Sequence, residues 1–430
     1  MTVTHRWITN PLPTMSDILK TPPSASADRS GAMSFVDKRT LPAKMRDLLA
    51  LEDFEAAAKK ILPRPIFGYV AGGVETNASL RGNRAVFDEI GFVPQSLVDT
   101  SARGQKTPLF GHTYNAPFGL APMGGSSLAA YQGDEVLARA AAQANLPMIM
   151  SGACLTPMEK VRATGHTSWF QAYLPGDITL INECLDRCQK AGFDTLVVTV
   201  DVPVMANREN NVRNGYNTPL RPTLGLAWHC LISPRWFFGN FLKTLWHQGM
   251  PHFENMGPRV PLISQHGVRG YGQRDRLQWG HIAHIRKRWK GNLVIKGIMS
   301  WQTARLAREH GVDGIIVSNH GGRQLDGTVS PLRVLPEIAA HAKGMSIIMD
   351  SGIRRGTDVL KALALGAHFV FIGRPFLFAA TVGAEAAVAH AIKLLIDEID
   401  RDMAMLGINQ LSDLNASFLR PATGARFLTT

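Results

Sequence analysis

From Pro117 onward the chain alternates with a regular rhythm: a short apolar or β-branched run, a turn of Gly, Pro or polar residues, then an Ala-rich stretch with helical spacing. Eight of the runs read as strands: Pro117–Ala121, Met148–Ser151, Trp169–Tyr173, Leu196–Val200, Leu293–Lys296, Ile315–Ser318, Ile347–Asp350 and Val370–Gly373. Helical spacing fills the intervals near 133–145, 157–164, 177–191, 301–310, 331–342 and 356–365, and predicts a long terminal helix near 383–405. Asp177, Ser300 and Thr357 stand where N-caps belong, and Gly311 and Gly366 where helices end. Upstream, a helical pattern over Leu51–Lys60 carries Glu52 and Asp53 in its first turn. Eight strand–helix units over roughly 250 core residues predict an α/β fold, a (β/α)8 TIM barrel with an N-terminal helical extension. A doubly wound sheet would want G-x-G-x-x-G after its first strand, and Gly124–Gly125 after Pro122 does not supply it.

One unit breaks the rhythm. Between Asp201 and Leu293 no strand is evident, so the barrel carries a long insertion, 210–285, after its fourth strand and on the C-terminal face. The stretch 221–250 is unlike a solvated loop. Leu226–Ala227–Trp228, Trp236–Phe237–Phe238 and Leu245–Trp246 alternate there with Arg221, Arg235, Lys243 and His247. Two readings stand level on composition: an interfacial membrane-binding segment, or a lid or oligomer contact packed on the barrel.

Composition narrows the class. The chain has 430 residues, 45% of them hydrophobic, which is ample for a core. Its formal net charge of +12 points to an anionic substrate, an anionic surface or nucleic acid. With no Lys/Arg-rich run, nucleic acid ranks last. Four cysteines, Cys154, Cys184, Cys188 and Cys230, are too few for a disulfide framework and read as free buried thiols in a reducing compartment. Cys184 and Cys188 lack nearby partners for zinc, and no metal-ligand set is expected. Residues 1–45, rich in Ser, Thr, Pro and charge, read as a poorly ordered tail before one domain, 46–430. Residues 1–20 lack the apolar core of a signal peptide, and no run reaches the roughly 18 apolar residues of a membrane span. The expected location is therefore cytoplasmic or peripheral.

In such a barrel, chemistry gathers at the C-terminal ends of the strands. After the sixth comes Ser318-Asn319-His320-Gly321-Gly322-Arg323-Gln324-Leu325-Asp326, with a base near neutral pH and a fork for a carboxylate in one Gly-rich turn. A structural histidine in a polar turn is the bland alternative. Asp201 ends the fourth strand and can orient an imidazolium, and Arg208 follows as a second cation or a mere surface arginine. Lys296 emerges from an apolar fifth strand, where it reaches an anionic cofactor or forms a Schiff base, as in an aldolase-like lyase. Asp350-Ser351-Gly352-Ile353-Arg354 and Gly373-Arg374 follow strands seven and eight, where these barrels hold phosphate. Gln171, Tyr173 and Thr199 add hydrogen-bonding groups. A phosphorylated flat cofactor beside an anionic substrate is implied, and both FMN and pyridoxal phosphate fit.

Taken together, Ser318–Asp326, Asp350–Gly356 and Gly373–Pro375 closely resemble the FMN-dependent L-2-hydroxy acid dehydrogenase/oxidase family, and the resemblance runs from about Leu51 to Leu419. It implies oxidation of a small L-2-hydroxy acid, lactate first, to the 2-oxo acid. His320 is then the base and Asp201 its partner. Tyr69, Arg208 and Arg323 contact the substrate carboxylate, and Tyr173 the hydroxyl. Lys296 lies near flavin N1 and O2. Pro122, Met123, Gly124, Ser151, Gln171, Thr199 and Ser318 contact the flavin, and Asp350, Ser351, Gly352, Ile353, Arg354, Gly373 and Arg374 form the ribityl and phosphate site. Whether His320 takes its proton from the hydroxyl, with hydride transfer, or from Cα stays open. The resemblance demotes the Schiff-base lyase, and a non-catalytic flavin-binding scaffold is a further alternative. The chain departs from the pattern at Pro122-Met123-Gly124, at Asp350-Ser351-Gly352, and at Ala153, where glycolate oxidases carry tryptophan; the last implies a pocket that admits more than glycolate. Ser233-Pro234-Arg235-Trp236 resembles the insertion of the bacterial membrane dehydrogenases. That implies a peripheral protein on the inner face of the plasma membrane, passing electrons to quinone or another acceptor, with oxygen the runner-up. Family resemblance also implies a homo-oligomer, a tetramer.

Overall fold

The computed structural model describes residues 45–165, 168–264 and 273–422. Eight parallel strands close into a barrel in sequence order: β1 (Phe118–Leu120), β2 (Met148–Ser151), β3 (Ser168–Ala172), β4 (Thr195–Thr199), β5 (Asn292–Ile298), β6 (Gly314–Val317), β7 (Ser346–Met349) and β8 (Phe369–Ile372), with β8 paired to β1. A parallel strand covered on both faces wants a continuous apolar run, and Leu196–Val198, Ile315–Val317 and Phe369–Ile372 are buried throughout. Closure excludes the doubly wound sheet. The N-terminal mouth is plugged by a hairpin, Thr107–Leu109 with His112–Tyr114, which the apolar rhythm did not reveal. Phe110 at its tip lies 5.5 Å from Trp169, and Tyr114 lies 5.8 Å from Phe369 (ring centroids). Burial pushes the Tyr114 phenol up to about 12. Chemistry is thereby confined to the opposite mouth.

The helices follow the predicted intervals to within a residue or two. Asp177 caps Ile178–Lys190 by accepting from the amides of Thr179 (2.8 Å) and Leu180 (3.2 Å), and the Ser300 hydroxyl accepts from Thr303 (3.3 Å). Gly311 (φ 70°) and Gly366 (φ 106°) take left-handed conformations just past their helices. Thr357 is not a cap. Helix Gly356–Ala364 starts before it, and the Asp358 carboxylate takes the amides of Arg354 (2.8 Å) and Arg355 (3.0 Å). The terminal helix runs from Arg374 to Leu406 and breaks at Gly383 and Ala384 (φ 50°), so the predicted start near 383 marks the kink. By length and composition it could cross a membrane (mean hydropathy 1.4 over its best window), contrary to the sequence reading. Phe376, Phe378, Leu395 and Ile399 are nevertheless buried in it, as in a core helix. Outside the apolar part of the insertion, helices Arg64–Ala71, Ala78–Asp88, Ser126–Ala129 and Trp279–Arg288 were among those that went unpredicted. The tail expected over 1–45 lies, but for Met45, outside the described residues. None of the four cysteines is in a disulfide, and Cys230 is half-buried rather than buried.

The insertion is mostly helical: Glu209–Arg213, Leu224–Leu231, Pro234–Trp236, a π-helical Phe237–Leu242, and Lys243–Gln248. It does contain strands, a short antiparallel pair of His252–Phe253 with Val260–Pro261. Trp236, Asn240 and Thr244, four residues apart, are its buried face. Trp236 Nε1 and Asn240 Nδ2 both donate to the Leu128 carbonyl, at 2.6 and 2.7 Å, in the short helix Ser126–Ala129 that follows β1. Trp228, Leu231, Phe238 and Trp246 face solvent, Trp246 being 87% exposed.

A bulge in β5 at Gly297 (φ 104°) shifts the register and brings the strand against Asp201 at the end of β4. A side chain there would place its Cβ 2.6 Å from the Asp201 Cβ. Gly297→Ala is accordingly expected to lower stability by about 1–3 kcal/mol in urea unfolding. Wild-type unfolding of that variant would contradict this account of the bulge.

Candidate active site

The polar residues at the C-terminal strand ends line one cavity of about 1400 Å³, counted with its open mouth. Tyr69, Pro122, Met123, Gly124, Tyr173, Arg208, Lys296, His320, Arg323, Asp350–Arg354, Gly373 and Arg374 all face it. Asp201, Ser151, Gln171, Thr199 and Ser318 lie behind this lining, the last four almost fully buried.

The turn after β6 owes its shape to three left-handed residues, His320 (φ 58°), Gly321 (65°) and Gly322 (71°). Only small or locally bonded residues tolerate such a run. The Ser318 hydroxyl accepts the His320 amide at 3.0 Å, and Asn319 accepts the Gly322 amide at 3.1 Å while pairing reciprocally with Asn83 (2.8 Å each way). Asp326 ties the far end of the motif to the amides of Thr76 (3.0 Å) and Ser79 (2.9 Å).

This turn sets His320 Nδ1 2.9 Å from Asp201 Oδ1. Asp201 accepts from Nδ1–H, which leaves Nε2 as the basic atom. Burial pushes the imidazole down, Asp201 pulls it up and Lys296 pushes it down; the net value lies below the ordinary 6.5. Burial raises Asp201, but the charges of His320 and Lys296 outweigh it, and the carboxyl stays below the usual range. At neutral pH this is an uncharged base backed by a carboxylate. Tyr173 stacks near His320 at 6.4 Å, and burial raises its phenol, which keeps it a donor.

Lys296 donates to Ser318 (2.7 Å) and pairs with Asp350 (3.1 Å). Burial alone would depress the amine, but the Asp350 and Asp201 carboxylates raise it. A protonated lysine is no nucleophile, which argues against the Schiff-base alternative. The structure instead supplies a fixed cation beneath the cavity floor.

Six cations, Arg208, Arg274, Lys296, Arg323, Arg354 and Arg374, line the cavity against one carboxylate, Asp350. Burial and then the charge of Arg208 push Arg323 down to about 10; burial, Arg323 and Arg354 depress Arg374 further. Arg323 and Arg374 are held together by a feature the sequence hid, the carbonyl end of helix Arg64–Ala71. Arg323 donates to the carbonyls of Tyr69 and Gly72 (both 2.8 Å), and Arg374 to those of Val70, Gly72 and Gly321 (all 3.0 Å). Arg208 is oriented by the Arg323 carbonyl (3.1 Å) and by Gln324. Neutral acceptors position these cations without cancelling them, so the cavity is built for anions.

Among the lining residues missed by sequence reading are three that are aromatic or charged. Tyr216 stacks on Tyr69 at 4.3 Å, the Arg274 guanidinium lies 4.8 Å from the Tyr173 ring centroid, and Phe253 closes one side. All three come from the insertion, where no motif marks them.

Behind the cavity, Gln171 Nε2 and Thr199 Oγ1 are buried without a hydrogen-bond partner. Ser151 fixes the Gln171 amide by donating to its carbonyl oxygen at 3.0 Å. Such orphans are costly unless a ligand satisfies them. With the left-handed Ser351 (φ 82°) and Gly352 (φ 87°) and the helix start at Gly373–Arg374, they form a hydrogen-bonding floor joined to a phosphate cradle. This donor set fits FMN. Thr199→Val, which deletes an orphan hydroxyl at constant shape, is expected to stabilise the cofactor-free protein by about 1 kcal/mol while weakening FMN binding roughly tenfold. Thermal unfolding and flavin fluorescence titration read the two opposite signs.

Comparison with known proteins agrees with this geometry. A family model described as FMN-dependent dehydrogenase matches residues 58–421. An L-lactate oxidase of Nostoc sp. is 36% identical over 375 residues, covering 86% of this chain and 97% of that protein. An L-lactate dehydrogenase of Pseudomonas entomophila is 36% identical over 383 residues, covering 87% and 99%. Among solved structures, the monotopic membrane protein (S)-mandelate dehydrogenase superposes with a TM-score of 0.81 at 31% identity, covering 87% of this chain and 100% of that one. A mandelate oxidase gives 0.71 at 29%, covering 88% and 99%. Barrel, anion cavity, donor floor and family match converge: this chain is a member of the FMN-dependent dehydrogenase family.

Proposed function

We propose that this chain oxidises a small L-2-hydroxy acid, lactate first, to the 2-oxo acid, and does so while bound peripherally to the inner face of the plasma membrane. The observation that carries the reading is the uncharged His320, backed by Asp201 at 2.9 Å and set beside Arg208 and Arg323. The two arginines bind the substrate carboxylate, with Tyr69 beside them. Tyr173 hydrogen-bonds the hydroxyl. His320 Nε2 removes a proton, and Asp201 stabilises the imidazolium that results. Bound FMN supplies the two-electron acceptor. Lys296 holds a positive charge where Gln171 and Thr199 present their donors. Ala153 lines the cavity, and its small side chain takes up less of it than a tryptophan would, which leaves room for a substituent at Cα.

The membrane reading rests on the insertion. Its anchored face is spent on the barrel, and its outer face offers Trp228, Leu231, Phe238 and Trp246, each worth about 1.5–3 kcal/mol if transferred from water. Likeness to a monotopic membrane dehydrogenase supports it. The electrons then pass to quinone or another membrane acceptor. A second reading, direct use of oxygen, is favoured by the likeness to an L-lactate oxidase, and oxygen consumption during turnover would support it.

His320→Ala is expected to abolish flavin bleaching by the hydroxy acid while FMN stays bound; full activity would overturn the assignment. Because the neutral ring is the active form, kcat/KM rises with pH through the His320 pKa, and its acid limb falls below 6.5. Asp201→Asn removes a charge that raises this pKa, so the limb moves lower still and the rate falls by roughly 10²-fold or more. Deleting 221–250 is expected to move the protein from the membrane to the soluble fraction, and unchanged fractionation would refute the membrane role.

A further inference from the structure

A second cavity, of about 1050 Å³ with its open mouth, lies between the insertion, the residues after helix Ser126–Ala129, and the kink of the terminal helix. Its walls include small side chains, Ala129, Ala130, Gly239, Ala380 and Ala384, beside the rings of Tyr131 and Trp236. A space between small residues and two aromatic rings suits a flat ring. Polar donors edge it. Lys243 lies over the Tyr131 ring at 4.3 Å, and Arg235 and Lys243 flank Gly239 at a four-residue spacing. Arg139 is paired with Glu385 at 2.6 Å, so the carboxylate in the wall is already satisfied.

Two placements set this cavity apart from a general surface groove. First, Phe238, Leu242 and Trp246, exposed on the same helical stretch, give it an apolar approach. Second, it shares walls with the active cavity. Gly124 and Gly125 line the active cavity while Ala129 and Ala130 line the second; Leu377 lines the first and Ala380 and Thr381 the second. At 1.5 Å rise per residue, the two linings are separated by about one helical turn along each of these elements, or roughly 5 Å. Neighbouring sites of this kind can exchange electrons by tunnelling without the two ligands touching.

We propose that this second cavity is the docking site of the electron acceptor, a lipophilic quinone that enters along the apolar face of the insertion and is reduced through the wall. The proposal rests on the hydroxy-acid reading above. Oxidation of the hydroxy acid breaks its Cα–H and O–H bonds and leaves two electrons and two protons with the holoenzyme and solvent. The quinone takes up two electrons through the wall and two protons from water at the open mouth, and its two carbonyl groups become hydroxyls. Lys243 and Arg235 donate hydrogen bonds to the oxygens as charge develops on them. Substrate and acceptor thus occupy different cavities of one enzyme.

Photolabelling of the holoenzyme with an azido-quinone tests the site without turnover. Label is expected on the peptides bearing Tyr131 or Lys243, with excess decylubiquinone protecting them. Gly239→Trp places an indole at a residue that lines this cavity, where an added Cβ meets nothing within 4 Å. It is expected to slow reoxidation by decylubiquinone by roughly tenfold while leaving bleaching by the hydroxy acid, and reoxidation by a water-soluble dye, unchanged. Label on peptides bearing Tyr69 or His320, decylubiquinone competing with the hydroxy acid, or wild-type reoxidation in Gly239→Trp would overturn it. Protection by phosphatidylglycerol vesicles but not by decylubiquinone would also overturn it, by making the cavity a lipid site. If no hydroxy acid bleaches the flavin, the substrate reading fails instead, and the labelling pattern still decides the quinone site.

Discussion

Among the described residues six cations gather around one cavity, and three of them, Arg208, Arg323 and Arg374, are held by neutral oxygens instead of carboxylates, while Lys296 is paired with Asp350. Arg323 and Arg374 share the carbonyl end of one short helix; burial and then Arg208 push Arg323 down, and burial, Arg323 and Arg354 push Arg374 down. A carboxylate in every pair would have stabilised the empty protein and left nothing for a ligand. The unmet charge is what selects two anions, a cofactor phosphate and a substrate carboxylate. Burial first, and then the charges of Lys296 and Arg208, depress His320, so the base is neutral when the substrate arrives. Asp201 then acts in the other direction, favouring the imidazolium only as the proton moves.

Much of this was legible in the sequence, because parallel barrels write themselves as apolar runs ending in polar residues. Each strand end contributes a chemical group by position alone: Gln171, Thr199, Lys296, Ser318, Asp350 and Gly373. The closed barrel brings these six residues to one mouth. What stayed hidden depends on contacts between distant segments. Helix Arg64–Ala71 is too short for a periodic signal, yet its carbonyls position two arginines some 250 to 300 residues away in sequence. Tyr216 and Arg274 come from an insertion without repeat or motif. Thr357 looked like a cap by residue type, but Asp358, one residue later, has the longer reach and the charge to take two amides. The terminal helix was cut at Gly383 because a kink and a start look alike in sequence.

The insertion links chemistry to location. Its apolar helical segment is fastened where Trp236 and Asn240 converge on the Leu128 carbonyl, beside the turn that carries Gly124 and Gly125 along the active cavity, and a later segment is fastened where Asn255 bonds Cys154, Thr156 and Met158. The segment proposed to meet the membrane therefore bears on the same short helix that separates the two cavities. On the proposals above, a lipophilic acceptor and a water-soluble acid are served from two neighbouring cavities.

The central claim is that this constellation removes two electrons from an L-2-hydroxy acid. Its most direct test is to mix the FMN-loaded protein anaerobically with a panel of L- and D-2-hydroxy acids and to follow flavin absorbance. Rapid bleaching by L-lactate or another short L-acid, and by none of the D-acids, is the predicted result. A protein that holds FMN and is bleached by no member of the panel would contradict the account and leave a flavin-binding scaffold in its place.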